Sequence, residues 1–373
     1  MFNQKKMHIV FVIQDITTKG GTERTTVCLA NMFASKGHRV DIISVFRNNP
    51  ILAYAVDDSV KLSFVSESTY SLDDGKMGRC LKVIKQLPSF KRILSGIGAE
   101  IIIAQRLLAV LLVFFAGYSK RAVACEHFKY DVYNLFIRKV RAFVYRFFAW
   151  VVVLTDADKS KFLREIKHVS TIPNMVSVVP EPYKGFGTKR IISVGRLDKQ
   201  KGYDLLLLAL TKVLPIVQDD GWHVDIYGEG PELGILMSMS SKLSLDKFVH
   251  FKGYTSAIEK EYATSEFYVM SSRYEGFPMV LLEAAACGLP IVSFDCPEGP
   301  SVLLGNGGGI LVPREDTEAL AKAILNLINN DVYRQQLHQQ TKDIIKPFVP
   351  EMIYERWMEL LCGQLKRSYG KQK

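Results

Sequence analysis

The chain has 373 residues, of which 48% are hydrophobic and 23% charged, a composition that excludes a disordered or low-complexity polymer and suits two domains of ordinary size. Its net charge is +10 and belongs to the first half: Met1 to Lys184 holds 27 Lys and Arg against 15 Asp and Glu, whereas Gly185 to Lys373 holds 21 against 23. The longest apolar run, Leu107 to Gly117, is about half the ~20 residues a membrane span needs, and the apolar core Ile9 to Ile13 is too short for a signal peptide, so a cytoplasmic protein is expected.

In chain order, Ile9 to Ile13 reads as a strand buried on both faces. Gly20-Gly21, a helical pattern over Glu23 to Ser35, a stop at Gly37 and a strand over Val40 to Val45 complete a βαβ unit. Gly75 to Ala99 carries Lys76, Arg79, Lys82, Lys85, Lys91 and Arg92, no acid, and interleaved apolar residues. That pattern predicts a basic amphipathic helix kinked at Pro88, suited to an anionic membrane leaflet. The alternative is a solvated helix whose apolar side joins the core. Strands are predicted at Ile101 to Ala104, Ala122 to Cys125 and Val151 to Leu154. Before the last, Val132 to Trp150 reads as a core helix that buries Val132, Phe136, Val140, Phe143, Val144, Phe147 and Phe148, with Arg138 and Arg141 snorkelling from the opposite side.

Pro180, Pro182, Gly185 and Gly187 cluster as a linker, dividing residues 1–182 from 183–349, with a last helix in 350–373. Strands follow at Arg190 to Val194, Trp222 to Tyr227, Val249 to Lys252, Phe267 to Met270 and Ile291 to Phe294. Helices are predicted over Tyr203 to Leu214, Glu232 to Leu243, Pro278 to Cys287, Thr317 to Asn329, Asp331 to Ile344 and Glu351 to Arg367. The alternation predicts an α/β protein of two Rossmann-like, doubly wound domains facing a cleft, with sites at the carboxyl ends of the strands. The six cysteines form no CxxC pair and lack companion histidines, which argues against a disulfide framework or zinc site.

The chemistry concentrates in Ser272 to Pro290, a strand–turn–helix string. Gly276 allows a tight turn, and Pro278 suits a first helical position. Backbone amides over Phe277, Pro278, Met279, Val280 and Leu281 would open a phosphate site at the helix start. Glu275 on the loop and Glu283 in the helix can accept from sugar hydroxyls. Their plain alternatives are a partner for the helix dipole and a solvated helix face. Upstream, Arg196 and Lys201 lie on a loop between Gly195 and Gly202, where two cations can stabilise a departing diphosphate without a metal. Gly228 and Gly230 would let a base and ribose approach, with a plain turn as the alternative. Gly20 and Gly21 offer backbone approach to phosphate or sugar, although helix–strand packing explains them equally.

Ser272 to Pro290 resembles the E-x7-E motif of the retaining GT-B glycosyltransferases of the family 4 type, which use nucleotide sugars. Gly20-Gly21-Thr22-Glu23, Glu126-His127, Pro173-Asn174, Val194-Gly195-Arg196-Leu197 with Lys201-Gly202, and Gly228-Glu229-Gly230-Pro231 resemble further elements of that family in the same order. The resemblance covers nearly the whole chain and implies several roles. Glu283 would hold the ribose hydroxyls, Glu275 would lie near those of the sugar, and His127 would touch the donor sugar, with a satisfied buried histidine as the competing reading. The last helix would cross back to the first domain. Retention follows from the resemblance too; no side chain is an obvious nucleophile, so front-face departure is expected, the leaving diphosphate taking the proton of the acceptor hydroxyl.

Two features depart from the family or mimic another. Gln105 and Arg106 stand where the family often has histidine. Asp295 to Pro300 resembles a version found among enzymes of bacterial surface and lipid-linked glycans. Asp156-Ala-Asp158 mimics a metal-binding D-x-D but reads better as a helix start. The function the resemblance implies is transfer of a sugar from a nucleotide donor, expected as UDP-linked hexose or N-acetylhexosamine, to a glycan acceptor such as a polyprenyl-diphosphate-linked oligosaccharide. The basic domain would meet the inner membrane face, with no nucleic acid, metal or other cofactor. A GT-B epimerase or phosphorylase and an inert sugar-binding protein are the alternatives.

Overall fold

The computed structural model describes residues 6–67, 69, 75–217, 219–297, 299–305 and 307–369, without the side chains of 75–77, 79 and 364–369. Lys76 and Arg79 of the basic segment therefore lie outside the described side chains. The chain forms two compact units: Met1–Met175 with Pro350–Lys373, and Val176–Val349. The division falls at Met175/Val176, before the expected 182/183. The intervening residues are tied to the second unit, Val176 N–H donating to Phe348 C=O at 2.9 Å and Ser177 Oγ to Glu283 Oε1 at 2.9 Å.

In the first unit the elements are β1 (His8–Asp15), α1 (Gly21–Ser35), β2 (Arg39–Phe46), β3 (Lys61–Phe64), α2 (Gly75–Lys85), α3 (Leu87–Ile97), β4 (Ile101–Gln105), α4 (Arg106–Phe115), β5 (Ala122–Cys125), α5 (Leu135–Tyr145), β6 (Trp150–Val153), α6 (Asp156–Phe162) and β7 (Val169–Thr171). The strands form one parallel sheet in the order β3-β2-β1-β4-β5-β6-β7. Alternation along β1 sends Ile9, Phe11 and Ile13 into one core and Val10 and Val12 into the other. That is why the strand is apolar throughout.

The single kinked helix expected over Gly75 to Ala99 is two helices, because Pro88 sits in the first turn of α3, where its missing N–H costs nothing. A larger correction concerns α5. Arg141 is buried and Val132, Phe136, Phe143 and Phe147 are exposed, against the expected core helix, whereas Val144 and Phe148 are buried as expected. Arg141 Nη1 donates to Glu126 Oε2 at 3.3 Å and Nη2 to the Tyr130 carbonyl at 2.8 Å. Its guanidinium lies 4.5 Å from the Phe162 ring centroid. A buried cation so paired turns the helix, and the aromatic stripe goes outward.

The second unit holds β8 (Arg190–Val194), α7 (Tyr203–Val217), β9 (His223–Tyr227), α8 (Leu233–Lys242), β10 (Val249–Gly253), α9 (Ile258–Ala263), β11 (Phe267–Met270), α10 (Met279–Ala286), β12 (Ile291–Asp295), α11 (Pro300–Leu304), β13 (Gly309–Pro313), α12 (Thr317–Asn329) and α13 (Asp331–Ile345). Its parallel sheet runs β10-β9-β8-β11-β12-β13. The last helix, α14 (Pro350–Tyr369), belongs to the first unit. Trp357 and Tyr354 meet Phe33 of α1 edge-on, at centroid distances of 6.4 and 5.8 Å. Among the described residues no helix is long and apolar enough to cross a membrane.

Candidate active site

Strand order reverses between β8 and β11 in the second unit and between β1 and β4 in the first. Crevices outside the carboxyl ends of such neighbours are where open α/β sheets bind ligands. In the second unit the loops after β8 and β11 are bound together. Lys201 Nζ meets Glu275 Oε1 at 2.7 Å, and Ser272 Oγ donates to the same oxygen at 2.6 Å. Arg273 grips Asp204 through both Nη atoms at 2.8 and 2.7 Å. Gly202 allows the approach: its φ is +64°, and a Cβ there would lie 2.1 Å from the Ser271 carbonyl oxygen. Both Lys201 and Glu275 side chains are largely covered. The ammonium keeps two further N–H donors, and Glu275 Oε2 takes neither of these two bonds.

Arg196 is held differently. Its Nε donates to Asp198 Oδ2 at 2.6 Å, and the side chain is 70% exposed. Asp198 also accepts the Lys201 amide at 3.2 Å, so one carboxylate shapes the loop under both cations. Each expected cation thus has an internal carboxylate partner, which no spacing argument reveals.

The helix start is one residue later than expected. Pro278 is the N-cap of α10, with φ −80° and ψ 81°, rather than its first residue. The amide row is also thinner. Pro278 has no N–H, Met279 N–H donates to Phe277 C=O and Leu281 N–H to Pro278 C=O. Among the described residues the amides of Gly276, Phe277 and Val280 have no protein acceptor, and they form the part of the turn able to take an anion. Glu283 is buried and accepts from Ser177, which removes the solvated-face reading.

Gly228 and Gly230 serve a packing need. A Cβ at either would strike a backbone carbonyl, that of Gly195 or Leu197, so the loop after β9 lies directly on the loop after β8. Leu197 N–H donates to Glu229 C=O at 2.9 Å across this contact. The Gly195 loop is thereby clamped from both sides.

In the first unit, Gly20 leaves room for the carboxylate of Glu23, which a Cβ would displace, while a Cβ at Gly21 would meet nothing within 4 Å. Burial raises the Glu23 carboxyl above its ordinary value. His127 follows β5, and its Nε2 pairs with Gln105 Oε1 at 2.5 Å. Burial, with the Arg106 cation adding, pushes the His127 imidazole down to about 3, so the ring is neutral at pH 7. A neutral ring that donates through Nε2 keeps Nδ1 as an acceptor. Arg106 adopts φ +67° and lies 4.5 Å from the Phe128 ring. Asp198 is a site neighbour the sequence does not single out, and Gln105, Glu23 and Ser272, which fall in or beside its motifs, carried no assigned role there.

The two aspartates of the D-x-D bond protein donors. Asp158 accepts the Tyr130 amide at 2.8 Å, and Asp156 accepts from Thr171 Oγ1 at 2.6 Å. His223, Asp225 and His250 bring ligand atoms within 4.8 Å of one another near the amino-terminal ends of β9 and β10. Asp225 is bound there by Arg190 Nε at 2.8 Å, and that cation disfavours a metal.

Comparison with known proteins matches residues 183–344 to the family model of Glycosyl transferases group 1 and residues 19–179 to that of Glycosyltransferase Family 4. An uncharacterized glycosyltransferase of Haemophilus influenzae is 27% identical, covering 95% of this chain and 99% of that one. The amylovoran biosynthesis glycosyltransferase AmsD of Erwinia amylovora is likewise 27% identical, with coverage of 95% and 99%. Among solved structures, S. aureus TarM in complex with fondaparinux, alpha-GlcNAc-glycerol and UDP superimposes with a TM-score of 0.78 at 18% identity, covering 95% of this chain and 99% of that one. Both parallel sheets and their helices are shared with that GT-B structure.

Proposed function

Because the chain belongs to the GT-B glycosyltransferases, a family 4 domain in its first half and a group 1 domain in its second, we propose that it moves a hexosyl or N-acetylhexosaminyl unit from a UDP-linked donor to a glycan acceptor with retention of configuration. The observation that carries this reading is the Lys201–Glu275 contact across the β8/β11 crevice, beside the open amides of Gly276, Phe277 and Val280. The second unit holds the donor. Its diphosphate meets those amides, Lys201 and Arg196. Glu283 takes the ribose hydroxyls, and Glu275 orients the sugar. The cations need no metal partner to offset the charge that develops on the leaving group.

The bond from the anomeric carbon to the diphosphate breaks, and a bond to the acceptor oxygen forms on the same face. The acceptor proton passes to the departing diphosphate. His127, a neutral ring, serves a sugar as a hydrogen-bonding group rather than a proton donor. The acceptor is a polyprenyl-diphosphate-linked oligosaccharide at the inner membrane face, consistent with the basic first half. AmsD, named for amylovoran biosynthesis, gives a parallel in polysaccharide assembly.

Thermal shift across a panel of nucleotide sugars, followed by transfer to membrane lipid extract, tests this. A UDP-sugar should stabilise the full chain without magnesium, and Arg196→Ala, Lys201→Ala, Glu275→Ala and Glu283→Ala should each abolish transfer while the fold is kept. Transfer surviving all four changes, or stabilisation that requires magnesium, would sink the reading.

A further inference from the structure

We propose that α5, with the neighbouring ends of α4 and α2, forms a surface that docks on an anionic lipid bilayer. The inverted helix is the first observation. Phe136 and Phe143 lie two turns apart on α5 and Phe147 in the turn just after it, and they are 75%, 56% and 46% exposed, while Arg141 is buried. An amphipathic helix that buries a cation and presents phenylalanines to the outside lacks a partner for its apolar face.

The second observation is continuity. Phe143 and Phe147 are 5.2 Å apart by ring centroids, Phe147 and Phe114 5.3 Å, and Phe114 and Phe115 5.3 Å, which carries the aromatic ridge from α5 onto the end of α4. Phe115 and Ile84 line one shallow apolar groove between α4 and α2. Three helices of one unit therefore share the face.

Charge selects the occupant. Between Gly75 and Arg146 the chain has fourteen Lys and Arg against three acids, and the remaining residues thirty-four against thirty-five, so this stretch accounts for the net charge of the whole protein. Of the three acids, Glu126 is buried on Arg141, and Asp131 is paired with Arg138 and Lys161. Lys85 of α2, Lys91 of the adjoining α3, Lys139 of α5 and Arg146 directly after α5 are exposed. Phenylalanine at the acyl boundary with a rim of cations is the chemistry of binding to anionic phospholipid. A second copy of this chain would bring the same positive charge against it. The assignment deepens the reading of a membrane-borne acceptor and rests on it for its purpose, not for its geometry.

The full chain should be sedimented with vesicles of phosphatidylcholine alone and of equimolar phosphatidylcholine and phosphatidylglycerol. Binding to the anionic vesicles should exceed that to neutral ones by about tenfold and fall with salt. The triple variant Phe136→Ser, Phe143→Ser, Phe147→Ser should bind them about tenfold more weakly and keep its affinity for UDP in calorimetry. The pair Lys85→Glu and Lys139→Glu, which touches no aromatic, should weaken binding too. Wild-type protein that ignores anionic vesicles, or a triple variant that binds them undiminished, overturns the proposal. So does a triple variant whose only change is from dimer to monomer, since a second copy would then own the face. Loss of UDP binding by the wild type with vesicle binding intact would sink the transfer reading and leave this surface standing.

Discussion

Replacing Gly202 by alanine tests whether the crevice depends on the contact between its two loops. Gly202 has φ +64°, a region that costs a non-glycine residue roughly 1–2 kcal/mol. Its new Cβ would lie 2.1 Å from the Ser271 carbonyl oxygen, an atom of backbone that no rotamer change can move. Relief requires the β8 and β11 loops to part by about 1 Å, a packing cost of about 1–3 kcal/mol. Together these give a loss of about 2–5 kcal/mol. The same displacement pulls Lys201 from Glu275, now 2.7 Å away, and UDP affinity should fall by about tenfold or more. Urea unfolding read by the fluorescence of Trp222, the one tryptophan of the second unit, measures the first effect and calorimetry the second. Gly234→Ala is the control: it lies within α8, meets nothing within 4 Å and should gain roughly 0.5–1 kcal/mol. If Gly202→Ala matches the control in both measurements, the reasoning about this contact is wrong.

Three further outcomes are expected. Gly21→Ala places a methyl in open space at the start of α1; the melting temperature should hold or rise slightly, while transfer falls because the approach to the loop is narrowed. Arg141→Met strands buried Glu126 and should cost about 3–5 kcal/mol in denaturant titrations, and adding Glu126→Gln should recover part of that loss. His127 has a folded value of about 3 against 6.5 when unfolded, so the fold favours the neutral ring. The stability this contributes is complete above 6.5 and is lost as pH falls from 6.5 towards 3. His127→Gln should therefore show a smaller drop in denaturation midpoint between pH 7.5 and pH 5 than the wild type, the two values being chosen to straddle the unfolded value of about 6.5.

The central strands and long helices were legible because their periodicity comes from burial on two faces. β5, β8, β11 and α12 fall on their predicted residues. The strands that escaped notice, β3, β7 and β13, stand at the sheet edges and are partly exposed, so they lack the full burial that marks an interior strand. α5 shows the limit of a helical wheel. The wheel separates two faces but cannot say which turns inward. Here a carboxylate fifteen residues upstream, Glu126, decides in favour of Arg141. The Lys201–Glu275 contact joins residues seventy-four apart, and the loop motifs place both at strand ends without revealing that they meet.

Helix α14 has a bearing on biosynthesis. Ile353, Trp357 and Leu361 lie in the same core as Ile9, Phe11 and Phe33, so the first lobe is assembled from two stretches that the second lobe separates in sequence. During translation that lobe stays incomplete until residues 350–361 have been made and have cleared the ribosome, although the lobe encoded by 176–349 can already be whole. A stop before residue 350 would therefore injure the lobe begun first.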